Sequence, residues 1–171
     1  PREVCDAVDA EFRAGRVPIA SAEGFIRQVI GWREYVWGVY WAKMPEYAGL
    51  NALGADRPLP PCFRGESGTE MRCVAQVLNE VREHGWAHHI QRLMVIGNLC
   101  LIAGVNPNQL VEWMWANFVD GAEWVMVPNV IGMSQYADGG QMATKPYASG
   151  GAYIDKMSDY CRGCRYDRTK R

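Results

Sequence analysis

The sequence predicts an all-α protein with long ordered loops, and three observations carry that reading. Apolar residues recur at three- and four-residue spacing through most of the chain, which is the helix period. The periodic stretches begin and end at Pro, Gly, Ser or Asn, the start and stop chemistry of helices. No stretch keeps the two-residue alternation of a half-buried strand, and no internal repeat is visible.

Taken in order, Pro1 to Ala14 reads as a short amphipathic helix with Val4, Val8 and Phe12 four residues apart; Gly15 ends it and Pro18 follows. Ser21 is placed to cap the next helix. Its stripe is Phe25, Val29, Trp32, Val36 and Tyr40, and it runs to Met44, ahead of Pro45. Gln28 and Trp32 stand one turn apart, an amide beside an indole. They serve equally well as core residues or as contacts to a flat ligand. Ala48 to Gly65 carries Pro58, Pro60 and Pro61 and reads as loop. Ser67-Gly68-Thr69-Glu70 has the capping-box pattern. It opens a helix with Val74, Val77, Leu78 and Val81 inward and Cys73 riding on it. His84-Gly85 breaks that helix, and the next runs to Ala103, closed by Gly104. Asn106-Pro107 opens another with proline at the first position; Leu110, Trp113 and Asn117 share a face and Trp115 points elsewhere. Asp120-Gly121 ends it. From there to Gly151 the chain is rich in Gly, Asn, Ser and Pro. It still holds Trp124, Met126, Val130, Ile131, Met133 and Tyr147, so it reads as an irregular but folded wall of a binding site. Ala152 to Tyr160 is the last of roughly six helices.

Composition narrows the function classes. At 171 residues the chain is one domain or a piece of one, and 49% apolar residues suffice for a core. A net charge of −1 excludes a strongly basic nucleic-acid binder. Seven tryptophans and eight tyrosines suit core filling, stacking on a flat ligand, or electron relay. No apolar run is long enough to span a membrane. Six cysteines without a small secreted-scaffold pattern favour a reducing compartment, hence the cytoplasm, with metal ligation or burial over disulfides. Pro1-Arg2-Glu3-Val4 reads as a helix turn without a lead-in, and Lys170-Arg171 stops inside a charged stretch, so a piece of a longer protein is expected.

The stretch Gly85-Trp86-Ala87-His88-His89-Ile90-Gln91-Arg92-Leu93-Met94 concentrates the ligand-binding chemistry. On a helix, His89 and Arg92 share a face one turn apart, and His88 points about 100° away. An arbitrary His-His pair is more often a solvated face. Here Trp86, Ile90, Leu93, Met94, Ile96 and Leu99 flank the polar trio, so the segment is expected to be mostly buried and its polar groups to need partners. A titratable imidazole beside a fixed guanidinium suits an anionic or redox-active ligand. Cys161 and Cys164 have the two-residue spacing that turns both sulfurs to one metal. The pair alone also suits a redox dithiol or chance, and spacing does not choose among Cys73, Cys100, Cys62 and Cys5 for further thiolates.

Several long stretches carry a resemblance. They are Phe25–Tyr35, Gly85–Gly97 with its paired histidines, Pro128–Gln135 through Ala137–Gly140, and Thr144–Tyr147 through Asp159–Cys161. In these the chain resembles the C-terminal, flavin-binding part of the bacterial iron–sulfur photolyase/cryptochrome proteins, the deoxyribodipyrimidine photolyase-related family. The resemblance implies the helical FAD-binding fold of the photolyase/cryptochrome type over residues 1–171, with an α/β domain and its antenna chromophore upstream. It implies a lyase that repairs (6-4) pyrimidine photoproducts in UV-damaged DNA by electron transfer from reduced FAD. The alternative it leaves is a cryptochrome-like blue-light receptor without repair turnover.

Residue by residue, the resemblance assigns His88, His89, Tyr147 and Tyr153 to catalysis, with His88 and His89 as the proton-donating pair, His89 favoured, and Tyr147 and Tyr153 at pocket-lining positions. Gln28, Trp32, His89, Arg92, Asp120, Met126, Asn129 and Met133 correspond to flavin contacts, with Arg92 and Asp120 forming an ion pair. Trp113 corresponds to an aromatic of the electron-transfer chain. Cys73, Cys161 and Cys164 match three of four ligands of a 4Fe–4S cluster, the fourth lying beyond Arg171; Cys5, Cys62 and Cys100 are left to packing. Two positions depart from the pattern. Met114 replaces a relay tyrosine, which would route photoreduction through Trp115, and Met126 replaces a carboxylate that some members carry beside the flavin. Lys145, Lys156 and Arg162 are candidates for DNA phosphate contacts, and a monomer is expected.

Overall fold

The computed structural model describes residues 1–169. Lys170 and Arg171, the last two residues of the charged stretch expected at the end of the chain, lie outside the described residues. All the regular structure described is helical; the β-type pairing consists of an isolated parallel bridge between Arg57 and Val105. The chain divides into two compact units, Pro1–Ala42 and Lys43 onward.

In the first unit, α1 (Arg2–Arg13) has Glu3 in its first turn and Arg13 in its last, the charge order that suits a helix dipole. α2 (Ile19–Arg27) begins at Pro18, so Ser21 lies inside the first turn and does not cap it. Proline sets the start there because its ring fixes φ near the required value and its missing N–H forfeits no bond. The helix runs on through a π-helical segment, π1 (Gln28–Trp32), into α3 (Arg33–Lys43). Of the expected apolar stripe only Val36 is buried, while Phe25 and Trp32 stay exposed.

The second unit is built on α4 (Arg72–His84), which buries Val74, Val77, Leu78 and Val81 as expected. Its capping box is not formed. The helix starts beyond Ser67–Glu70, with Met71 at the cap position and no side-chain cap. Glu70 is drawn away to Arg165 and Tyr166, and so is not available to reach back. Gly85, at φ 61°, ends α4 in the left-handed region that favours glycine. The next rod is α5 (His89–Gln91), π2 (Arg92–Gly97) and α6 (Asn98–Ala103). α7 (Pro107–Asn117) is capped as predicted, the Asn106 side chain accepting from the Asn108 amide at 2.9 Å.

The segment after Asp120 departs from expectation. It is helical from Glu123 to Ser134, as α8 (Glu123–Val127) and π3 (Pro128–Ser134), and irregular only beyond. Its loop-forming residues have packing reasons. A Cβ on Gly132 would strike the Tyr47 hydroxyl and meet Met142 Cβ at 2.6 Å. A Cβ on Gly97 would strike the Ser134 hydroxyl and come within 2.8 Å of the Arg92 carbonyl, where π2 packs on π3. Buried Asp138 gathers the loop that follows. It accepts from the Tyr47 hydroxyl at 2.6 Å and from the amides of Gly140 and Met142 at 2.9 and 2.8 Å. The last helix, α9 (Gly151–Met157), stops short of Tyr160 because the Ser158 hydroxyl donates to the Ile154 carbonyl and turns the chain out.

Gly132→Ala should lower stability by about 1–3 kcal/mol, the usual range for overpacking. Gly24→Ala, where a Cβ meets nothing within 4 Å, should instead raise it slightly. Thermal melts of the two variants check this contrast.

Candidate functional site

The site grows from the turn between α4 and α5. The Val119 amide donates to the Gly85 carbonyl at 2.8 Å, which ties this turn to the one after α7. Arg92, on the first π2 residue, clamps both. Its Nε donates to the Ala87 carbonyl at 2.7 Å, and its two terminal nitrogens fork onto Asp120 at 2.9 and 3.0 Å. Its guanidinium carbon lies 4.1 Å from the centre of the Phe118 ring. The Arg92 side chain is 16% exposed and Asp120 is 52% exposed, so the ion pair anticipated from the sequence is present and reaches solvent on the carboxylate side. Behind it, buried Trp113 meets Phe118 edge-on at 5.9 Å and donates its indole N–H to the Phe63 carbonyl at 2.9 Å. Met114 is buried and Trp115 is exposed.

The paired histidines do not share a helix. His88 is the N-cap of α5, outside the helix: its Nδ1 accepts from the Ile90 amide at 3.2 Å, and its own amide donates to Gln91 Oε1 at 2.7 Å. An imidazole thus plays the part usually taken by a serine or aspartate in a capping box. His88 lines a cavity of 710 Å³ with Trp86, Gln91, Met94, Tyr153 and Tyr160, from which His89 is absent. Trp86 was expected in the buried flank but is 48% exposed, with its ring edge-on to His88. Tyr153 and Ile90 pack on the buried group Leu93, Met94 and Met133. Tyr147 is exposed and lies outside the cavity wall. His89 keeps an open surface, yet neighbouring atoms crowd its ring. Burial first, then the nearby charges of His88 and Arg92, hold its pKa below the ordinary histidine value.

Of the expected flavin contacts, Gln28 and Trp32 lie on π1 in the first unit, where both are exposed. Arg92 lies on π2, and Asn129 and Met133 lie on π3. Met126 and Met133 are buried. Asn129 donates from Nδ2 to the Val125 carbonyl at 2.8 Å, while its Oδ1 is buried without a partner. An orphaned buried acceptor is costly, and it fits a ligand that brings an N–H or O–H group. Sequence periodicity carried no sign of the π segments, since a π turn differs from an α turn only by one residue in its hydrogen-bond span.

The three cysteines singled out line one apolar cavity of 370 Å³ together with Val74, Ile154 and Tyr166. Burial pushes the Cys73 thiol up, with smaller contributions from the nearby sulfurs of Cys164 and Cys161. Cys164 is shifted the other way, chiefly by a hydrogen bond from Arg72 and then by the Tyr166 amide. Soft thiolate donors in an apolar pocket suit an iron–sulfur cluster. Among the described residues, though, no three His, Cys, Asp or Glu side chains are gathered closely enough to form a metal site as they stand. All six cysteines are free; Cys62 and Cys100 are buried in packing, and burial pushes the Cys100 thiol up to about 12.

No family model matches the chain. It is 50% identical over 169 residues, 99% of its length, to a (6-4) photolyase of Agrobacterium fabrum, of which it covers 33%. Along nearly its whole length the chain is therefore similar to part of a photolyase. It is also 39% identical over 66 residues to an uncharacterized protein of Acanthamoeba polyphaga mimivirus, covering 54% of that protein. The chain spans about a third of the length of the Agrobacterium relative. Its all-α architecture is the one expected of the helical part of such an enzyme. No helix among the described residues is long and apolar enough to cross a membrane.

The depressed His89 pKa has a consequence for stability. Unfolding restores the ordinary value, so below it the unfolded chain binds more protons than the folded one, and stability falls as the pH drops. Above it the ring is neutral in both states and contributes no slope. Melting curves between about pH 7.5 and pH 5 should show this loss, and His89→Gln should flatten the slope.

Proposed function

We propose that the chain is part of a flavin-dependent lyase that repairs (6-4) photoproducts in UV-damaged DNA under blue light. The observation that carries this reading is 50% identity to a (6-4) photolyase along 99% of the chain. When bound, reduced FAD would supply the light-driven electron that starts the repair. This chain's part would be to hold the flavin and manage protons. The Arg92–Asp120 fork offers a fixed charge pair, and the unpaired Asn129 oxygen offers a buried acceptor. Met133 and Met126 would exclude water from that side.

His88 and Tyr153 share a wall of the 710 Å³ cavity, which is roomy enough for a flipped-out pyrimidine pair. His89, the favoured proton donor, follows His88 directly but lies outside that wall, and a proton on its ring is held less tightly than on a free imidazole. Cys73, Cys161 and Cys164 would supply three thiolates to an iron–sulfur cluster. Exposed Lys145, Lys156 and Arg162 would contact DNA phosphates without reading sequence. Six free thiols support a reducing, cytoplasmic setting, where the protein would act as a monomer.

In the protein that carries this chain, His89→Ala should retain bound flavin absorbance. It should lower the yield of restored thymines from an irradiated oligonucleotide by about 10²–10⁴-fold, the range for losing a positioned proton donor. Undiminished repair would remove His89 from this role. Cys164→Ala should reduce iron per chain and the visible thiolate-to-iron absorbance, whereas Cys62→Ala should leave both unchanged.

A further inference from the structure

His88 is held by more than its neighbours in sequence. Four hydrogen bonds converge on the segment 88–91, and three of them involve the Gln91 side chain. Gln91 Oε1 accepts from the His88 amide at 2.7 Å. Gln91 Nε2 donates to Glu80 Oε2 on α4 and to the Tyr160 hydroxyl, both at 2.7 Å. The fourth runs from the Ile90 amide to His88 Nδ1 at 3.2 Å. An amide carbonyl cannot donate and an amide nitrogen cannot accept, so the Glu80 carboxylate, an acceptor, and the His88 amide, a donor, leave Gln91 one orientation, with Oε1 toward His88 and Nε2 toward Glu80 and the Tyr160 hydroxyl. A backbone N–H can only donate. Nδ1 of the neutral His88 ring must therefore be the bare nitrogen, and the proton must sit on Nε2.

We propose that Gln91 is a positioning residue that fixes His88 as the Nε2–H tautomer, and that it ties this lock through Tyr160 to the turn carrying Cys161 and Cys164. Tyr160 directly precedes Cys161. Glu80 is itself braced by Gln76 at 3.1 Å, one turn back on α4 toward Cys73. Both supports of Gln91 thus come from elements that also bear the candidate cluster cysteines. His88 lines the large cavity, so the lock presents that cavity with an N–H donor of fixed identity. Its ligand there would be a hydrogen-bond acceptor, such as a carbonyl or hydroxyl oxygen of a pyrimidine. That last consequence rests on the repair reading given above; the tautomer itself does not.

Long-range ¹H–¹⁵N spectra of the imidazole nitrogens in the protein that carries this chain, at a pH where His88 is neutral, test the inference without light or DNA. The parent chain should show His88 almost wholly as Nε2–H. Gln91→Leu, which removes the acceptor of the His88 amide and both donors, should lower the ratio of Nε2–H to Nδ1–H about five-fold, the worth of one net hydrogen bond. Gln91→Glu combined with Glu80→Gln keeps an acceptor for the His88 amide without opposing two carboxylates, and should restore most of that ratio. Tyr160→Phe should move it in the same direction as Gln91→Leu, by less. A parent chain with a large Nδ1–H population overturns the proposal whether or not any variant folds. An unchanged ratio in folded Gln91→Leu overturns the role of Gln91, and an unchanged ratio in Tyr160→Phe overturns the tie to the cysteine turn. Repair that fails while the tautomer is as described would count against the functional reading alone.

Discussion

A guanidinium with 16% of its side chain exposed cannot be left without partners, and the geometry around the histidines follows from how Arg92 finds them. It takes a backbone carbonyl from the turn before α5, a carboxylate from the turn after α7, and the face of Phe118 between them. The first contact belongs to one stretch of chain and the other two to a second, far from it in sequence. Together with the Val119–Gly85 amide bond they fix two turns that have no regular structure of their own. Ala87 is buried with no exposed surface, and the chain leaves it directly into His88. Were Arg92 absent, the Ala87 carbonyl would lose this side-chain donor, and the path of the backbone into the imidazole would be less firmly fixed.

Much of this was legible in the residues. The inward face of α4 followed from a four-residue rhythm, the start of α7 from Asn106-Pro107, and the Arg92–Asp120 pair from the resemblance, supported by the cost of a lone buried arginine. What was not legible had local competitors. Glu70 completes a capping-box pattern on paper, but two side chains near the end of the chain, Arg165 and Tyr166, claim it, and no window of a dozen residues reveals partners 95 and 96 positions away. Ser21 lost its role to a proline three residues earlier. His88 was read as helical because histidine is not a residue expected at an N-cap; its Nδ1 nonetheless serves as the acceptor a helix start needs.

The segment after Asp120 failed for a more general reason. Gly, Asn, Ser and Pro are loop formers by propensity, and counting them gave a loop. In π3 each has a particular use. Pro128 stands where α8 passes directly into π3, and its missing N–H forfeits an α-type bond at that junction; Gly132 lets Tyr47 and Met142 close in. Asn129 bonds back one turn. Tertiary contacts outweighed propensity, as they do when a helix is buried on most sides. The same segment and the two other π segments carry five of the residues matched to flavin contacts: Gln28, Trp32, Arg92, Asn129 and Met133. A π turn leaves backbone groups poorly matched and is retained mainly where it aims side chains usefully, so its recurrence at these positions is a structural signal independent of the residue types.

The two candidate sites of the second unit are also not independent of each other. α4 holds Cys73 in its first turn and Glu80 two turns on, a separation of roughly 10 Å along the axis at 1.5 Å per residue. The chain after α9 folds back onto the start of this helix, where Arg72 bonds the Arg162 carbonyl and Arg165 pairs with Glu70. Between those contacts and α9 lies Tyr160, whose hydroxyl reaches Gln91. α4 is anchored by four buried aliphatic side chains and is therefore the rigid member; the turn with Cys161 and Cys164 is the adaptable one, being exposed or half-buried throughout. A group bound by those thiols would restrain the adaptable member against the rigid one. The restraint would reach the cavity wall through one tyrosine and one glutamine, without any movement of the helices that carry the core.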